Sequence, residues 1–229
     1  MKTTAILTAA IGSFLLSSCA SKFTAAQREA LSTVAVAPVS VKSDAYSEPY
    51  GGDRGAASNA ALTGTSSGTG AIGGVVGSLV GESIAASQNG IFKAKNKQYF
   101  PAIKGNTPEI SGPIGKKLGA DLKADPFFGS RLRESSPNQI TGNVTSYGLV
   151  RSGKGGDGNL LMTPRVIIDL ALRDAGGKKL VGRNYVGTGY NHPVTKYASD
   201  AGETRTGYEM AIRVAIDQFT SELSRKSAE

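Results

Sequence analysis

Two stretches of this chain have residue types and spacing associated with phosphate chemistry. Gly68 to Glu82 reads GTGAIGGVVGSLVGE. Its first six residues, Gly68-Thr69-Gly70-Ala71-Ile72-Gly73, match the glycine pattern of a dinucleotide loop. That chemistry needs a strand before the loop, a helix after it and an acidic side chain about 20 positions on. Gly68 follows small polar residues with no strand pattern, and Lys93 stands where the acid should be. The dinucleotide reading is rejected. Gly148-Leu149-Val150-Arg151-Ser152-Gly153-Lys154-Gly155 approaches a P-loop. It lacks the Ser or Thr that holds Mg²⁺ and begins inside a predicted strand, so it is read as a hairpin.

Other reactive groups are scarce. The single histidine, His192, precedes Pro193 in an expected loop after the last strand, where a surface role fits it. The single cysteine is Cys19. One histidine builds no His-rich zinc site, and Cys19, at the end of an export signal, leaves no thiol for a Cys-His pair. Asp169 sits between Arg165 and Arg173 on one face of a predicted strand, which cross-strand charge pairing explains as well as acid–base catalysis does. A two-carboxylate enzyme acting on wall polymers has no supporting spacing. The expectation is a non-enzyme with no catalytic residues, no metal site and no cofactor.

The N-terminus indicates a destination. Met1-Lys2 supplies positive charge, and Ala5 to Leu16 is an apolar run shorter than the about 20 residues that span a bilayer. This is the pattern of a secretory signal. Its end, Leu16-Ser17-Ser18-Cys19-Ala20, resembles the lipobox of bacterial lipoproteins. The resemblance implies cleavage before Cys19, lipidation of Cys19 with palmitate-type chains, and a mature body without a thiol. Buried acyl chain contributes about 0.8 kcal/mol per CH₂, so several chains anchor a protein stably. In the same family an Asp after the cysteine favours the inner membrane. Ala20 therefore points to the outer membrane, facing the periplasm.

Composition narrows the partners. The 229 residues carry 26 Lys+Arg against 18 Asp+Glu, a formal net charge of +8. On an exported protein such a surface can face anionic lipid headgroups or acidic envelope polymers. The basic residues are scattered without an aromatic ladder, so no nucleic-acid partner is expected.

The repeat inside the glycine-rich stretch remains. Gly73, Gly77, Gly81 and then Ala85 recur every fourth residue, flanked by Val76, Leu79, Val80 and Ile84. On a helix this is a smooth groove suited to close backbone approach. Glycine costs about 1 kcal/mol relative to alanine in a helix, so such a helix needs a partner. Another copy, a lipid surface and a groove in its own domain are all open, as is a flexible loop. The stretch resembles the glycine-zipper segments of envelope lipoproteins, which implies self-association or membrane contact.

The elements that position these residues follow from periodicity. Residues 1–18 are read as the signal and 19–32 as a tether or brief helix. Residues 33–229 form one α+β domain with a flexible Gly/Ala/Ser-rich insertion at 41–110. Thr33 to Val39 is the first strand. Val41 to Gly70 has too little apolar area to offset its ordering entropy and is expected to be mobile. Pro113 opens a helix with Ile114, Leu118 and Leu122 on one face, ended by Asp125-Pro126. Phe127 and Phe128 cap a core, and Gly129 to Glu134 is a short edge strand. Three antiparallel strands follow: Ile140 to Arg151 with Ile140, Val144 and Val150 on one side; Arg165 to Arg173 with Val166, Ile168, Leu170 and Leu172 on one face; and Leu180 to Gly189. The glycines of Asp174-Ala175-Gly176-Gly177 make the second turn. A C-terminal helix begins at a capping box of Thr206 and Glu209 and buries Tyr208, Ile212, Ala215, Phe219 and Leu223. The fold class is α+β: a mixed, mainly antiparallel sheet of about four strands with two helices on one face.

The order of VAVAPV, a helix, ITGNVTSYG, a further hairpin and a long terminal helix resembles the small periplasmic α/β lipoprotein modules. These include the curli-secretion-channel lipoproteins, the lipoprotein activators of penicillin-binding proteins and the N-terminal domain of the Tol-system propeller protein. The resemblance implies a body that binds a protein partner or assembles, possible homo-oligomers included, and does not catalyse. The chain lacks the pair of amphipathic hairpins a membrane barrel of the curli type would need. An accessory lipoprotein of an envelope lipid or solute export system, holding ligand between sheet and helices, is the alternative.

Overall fold

The run RVIIDLALR decides the centre of the molecule. In the computed structural model, which describes residues 22–52, 74–156 and 159–228, it lies in the long strand β5 (Leu160–Arg173). Val166, Ile168, Leu170 and Leu172 are fully buried on one face, as the alternation predicts. β5 pairs antiparallel with β4 (Gln139–Lys154) on one side and β6 (Lys179–Thr188) on the other. Asp174 closes the second turn: its carboxylate accepts from the Gly176 and Lys178 backbone N–H groups, and Gly177 takes a φ of +80°.

The sheet is mixed and has seven strands among the described residues, more than the about four expected. β1 (Ala35–Val36), β2 (Ser40–Val41) and β3 (Tyr46–Tyr50) run parallel to β4 in succession, and β7 (His192–Pro193) pairs with β5 at Leu161 and Met162. These strands are too short for a two-residue period to show. β3 corrects the expectation of a mobile segment from Val41 onward: Tyr46 packs edge-on against Tyr147, and Ala45 is buried. His192 likewise sits in a paired strand, not a loop.

The helices are α1 (Ala25–Ala30), α2 (Gly74–Asn96), α3 (Phe100–Asn106), α4 (Ser111–Ala124), α5 (Val194–Ser199) and α6 (Ala201–Ser227), with 3₁₀ turns at Lys97–Tyr99 and Gly129–Arg131. α4 and α6 cover one face of the sheet, as expected. Ile114, Leu118 and Leu122 of α4 meet Tyr208, Ile212, Ala215, Phe219 and Leu223 of α6 in the main core. Each such side chain contributes about 1.5–3 kcal/mol on burial. Asp125 caps α4 and accepts from the Phe127 and Phe128 N–H groups.

Three local expectations are corrected. The N-cap of α6 lies six residues before Thr206: it is Asp200, accepting from Glu203 N at 3.0 Å, while the Thr206 hydroxyl bonds back to Gly202 O. Gly129–Arg131 is a 3₁₀ turn, and Leu132 makes one parallel bridge to Val34 instead of a strand. Val150 leaves the core face. The β4–β5 register passes from Val144 opposite Ile168 to Ser146 opposite Ile167, a bulge at Thr145 that reverses the alternation beyond it. Leu149 then turns inward.

Leu149 belongs to a second core with Phe92, Phe100, Ile103, Met162, Val194 and Tyr197. This core overturns the picture of a flexible insertion for residues 85–106. There α2 and α3 are held by Phe92, Phe100 and Ile103, large apolar side chains buried in this cluster. The segment 22–31 is also fastened. Thr24 and Gln27 form a capping box for α1, Phe23 and Leu31 are buried, and Phe23 N donates to Lys226 O at 2.8 Å.

Candidate binding cleft beside the glycine-rich helix

Cys19 and Gly73 lie outside the described residues. Gly77 and Gly81 fall within α2, so the repeat is helical there. Ala85, the last member of the series, is buried against the domain itself. A Cβ built on Gly52 would stand 2.3 Å from the Ala85 carbonyl oxygen, and one on Gly51 would stand 2.1 Å from Phe92 Cγ. Only glycines let the end of β3 lie this close to α2. Asn89 Oδ1 accepts from Gly51 N at 3.1 Å. The second half of α2 thus has a groove in its own domain as partner. Among the described residues no helix is long and apolar enough to cross a membrane.

Between α2 and the end of the β4–β5 hairpin opens a cleft of about 460 Å³. One wall carries Gln88, Ile91, Phe92, Lys95 and Asn96; the other carries Arg151, Lys154, Asn159 and Leu160, with Val194 and Thr195 at its base. Arg151 is oriented by a 2.7 Å bond from its Nη1 to Gln88 Oε1. Ile91 is 58% exposed at the rim, unusual for so large an apolar side chain. Three cations and no carboxylate line the cleft among the described residues. The surroundings therefore favour negative charge. Among the described residues the lining offers charged, amide and apolar groups to a ligand.

Sequence reasoning missed this cleft. Lys154 was noticed only as a failed P-loop lysine; the near-match Gly148 to Lys154 in fact lies within β4. Lys95 and Arg151 carry no local signal.

The other residues singled out in the sequence do not converge. His192 Nε2 lies 3.4 Å from a Glu203 carboxylate oxygen and its ring stands edge-on to Tyr197. Glu203 also approaches Lys196, which pairs with Asp200 at 3.1 Å, so this is a surface charge cluster. Asp169 faces Asn143 and Asn184 across the sheet, and no ion pair involves it among the described residues. Charge pairing therefore does not explain it. Among the described residues no group of three or more His, Cys, Asp or Glu side chains is placed to hold a metal. The space between sheet and helices, where a ligand chamber was the alternative, is filled by the main core.

Burial governs the raised tyrosine ionisations. It pushes Tyr46 up to about 12, helped by Glu48 and Tyr147. Burial also raises Tyr185 beside Glu222, Tyr197 beside Glu203, and Tyr208.

The chain matches no family model and no curated relative. The solved structures to which it is similar include the following three. A minor lipoprotein from Acinetobacter baumannii is 16% identical, with a TM-score of 0.36 over 52% of this chain and 87% of that one. A lipoprotein from Caulobacter crescentus is 18% identical, with a TM-score of 0.33 over 48% and 80%. The PelC dodecamer from Paraburkholderia phytofirmans is 18% identical, with a TM-score of 0.32 over 53% and 80%.

Proposed function

We propose that this protein is a lipid-anchored component of the cell envelope whose folded body binds or scaffolds a partner and does not catalyse. The observation that carries the reading is Cys19, the only cysteine, placed at the end of the apolar run in Leu16-Ser17-Ser18-Cys19. The body supports it in two ways. Residues from Phe23 onward are bonded to the C-terminal end of α6, so a pull on the anchor passes into the main core. The cleft of Lys95, Arg151 and Lys154 offers an anionic partner a site without catalytic groups. In this reading the glycine repeat, with Gly77 and Gly81, serves for self-association or membrane contact. Outer-membrane placement follows from Ala20 after the cysteine.

The test is to feed cells labelled palmitate and compare the native chain with Cys19→Ser. Label on the native chain only, with a shift of Cys19→Ser out of its native membrane fraction, is the expected result. An unlabelled native chain, or fractionation unaffected by the substitution, ends the proposal.

A further inference from the structure

Phe127 carries two guanidinium groups over its ring. Arg131 lies 3.9 Å from the ring centroid and Arg28 lies 5.3 Å from it. The two arginines come from segments more than a hundred residues apart in sequence. Each is pinned by a backbone oxygen: Arg131 Nη1 donates to Phe127 O at 2.6 Å, and Arg28 Nη1 donates to Ser227 O at 2.7 Å. Both line one open cleft of about 420 Å³, with Ser224 and Ser227 on the opposite wall. Asp125 also lines it, but its carboxylate accepts from Phe127 N, Phe128 N and the Ser224 hydroxyl, which fixes it as a helix and turn cap.

The position of this cleft gives it meaning. Phe23 packs on Phe127 with ring centroids 6.4 Å apart, and Phe23 N bonds to Lys226 O. Lys22, next to Phe23, is exposed and Lys226 is half-buried at this end of the body. Cys19 is three residues before Lys22, a chain reach of at most about 11 Å. An acyl chain on Cys19 would hold this end of the body at headgroup depth.

We infer that Arg28 and Arg131 form a site for a phosphate ester, filled by the headgroup of an anionic phospholipid in the membrane that holds the anchor. The site deepens the lipid-anchor reading and its location at the bilayer rests on it. Arginine suits the task because a planar fork already held over an aromatic ring loses little freedom on meeting phosphate oxygens. A guanidinium carries five N–H donors in a fixed fork, of which Arg131 gives one to Phe127 O. Nearby Lys22 and Lys226 add attraction to an anionic surface.

The experiment is native mass spectrometry of the full chain purified from membranes, in detergent micelles doped equally with phosphatidylglycerol and phosphatidylcholine. The covalent mass on Cys19 in the same spectrum reports lipidation, and the non-covalent adducts report the site, so the two readings fail separately. The native chain is expected to retain phosphatidylglycerol roughly tenfold over phosphatidylcholine. Arg28→Gln with Arg131→Gln should abolish that preference, and the milder Arg131→Lys should weaken it while leaving the fold intact by circular dichroism. Arg133→Gln, an exposed neighbour that does not touch Phe127, should leave it unchanged. No preference in the native chain overturns the inference. So does a preference that survives the double substitution, or one that Arg133→Gln removes equally, since that is diffuse charge. In a second arm inorganic phosphate alone is titrated. Phosphate adducts lost in the double variant, without lipid discrimination, keep the phosphate site but overturn the headgroup as its source.

Discussion

Gly187 on β6 passes directly against Ala211 on α6: a Cβ at Gly187 would stand 1.8 Å from the Ala211 carbonyl oxygen. Two residues on, a Cβ at Gly189 would stand 2.0 Å from the Gly207 carbonyl oxygen. Backbone meets backbone along this seam, and neither partner is a flexible side-chain end. Gly187→Ala should therefore lever α6 off the sheet. Overpacking typically costs about 1–3 kcal/mol, and rigid neighbours place this site at the upper end. Gly119 in α4 is the control, because nothing lies within 4 Å of a Cβ there. Gly119→Ala should stabilise by about 0.5–1 kcal/mol through helix propensity. Urea unfolding of both variants checks the pair; equal effects would refute the seam.

The buried tyrosines predict an alkaline limit. Tyr46, Tyr185, Tyr197 and Tyr208 all have raised pKa values in the fold, burial being the leading cause. An unfolded tyrosine ionises near pH 10. Above that point the unfolded state has released protons that the folded state still holds, so stability falls as pH rises. Below it the contribution is fully present. For Tyr46 the loss is complete near its folded value of about 12. Tyr208, the most deeply buried of the four, accounts for up to about 1.4 kcal/mol per pH unit in this window. Among the described residues its hydroxyl has no hydrogen-bond partner; neighbouring Thr107 instead donates to Ile103 O at 2.8 Å. Tyr208→Phe should then flatten the decline above pH 10 without lowering stability at neutral pH. Denaturation midpoints across that range decide it, and an unchanged slope would show that Tyr208 does not govern the limit.

The second core should open before the first. Phe92 packs on Phe100 with ring centroids 6.1 Å apart and lies against Gly51. It anchors α2 to a small cluster, while α4 and α6 belong to the larger one. Phe→Ala in a packed site costs about 3–5 kcal/mol, more than a satellite cluster can absorb locally. Phe92→Ala should speed hydrogen exchange across residues 85–106 and leave β5 and α6 protected. Uniform acceleration over the whole chain would mean that the two cores are one cooperative unit.

What could be read from sequence follows the reach of each signal. The stripe on α6 and the alternation on β5 lie within one element, and each pays out over several turns or pleats, so they were legible. Thr145 was not, because one inserted residue changes the face of Val150 without altering any local pattern. The short strands β1, β2, β3 and β7 gain their pairing only from β4 and β5, which tertiary packing supplies. Phe92, Phe100 and Ile103 follow no single period and acquire a shared core only when α3 and α5 fold back on the β4–β5 hairpin. Both basic clefts join side chains from distant segments. Arg28 reads as part of a tether or brief helix and Arg131 as part of a short edge strand until Phe127 is placed between them.

The cleft beside α2 makes a charge prediction separable from the anchor. Lys95, Arg151 and Lys154 converge there without an opposing carboxylate among the described lining residues. A flexible polyanion such as polyphosphate should bind the chain at low salt and weaken as screening shortens the reach of each charge. Replacing all three cations with glutamine should weaken binding roughly tenfold at low salt and reduce its salt dependence. Lys178→Gln with Lys179→Gln, at the β5–β6 turn, removes charge of the same sign outside this cleft and should do neither. Fluorescence titration at several salt concentrations separates the cases. If both sets weaken binding alike, net charge alone attracts the anion. If only the cleft variant does, the ordering of α2 against β3 by Gly51 and Gly52 is what assembles the site, because Lys95 reaches Arg151 and Lys154 only while that helix is docked.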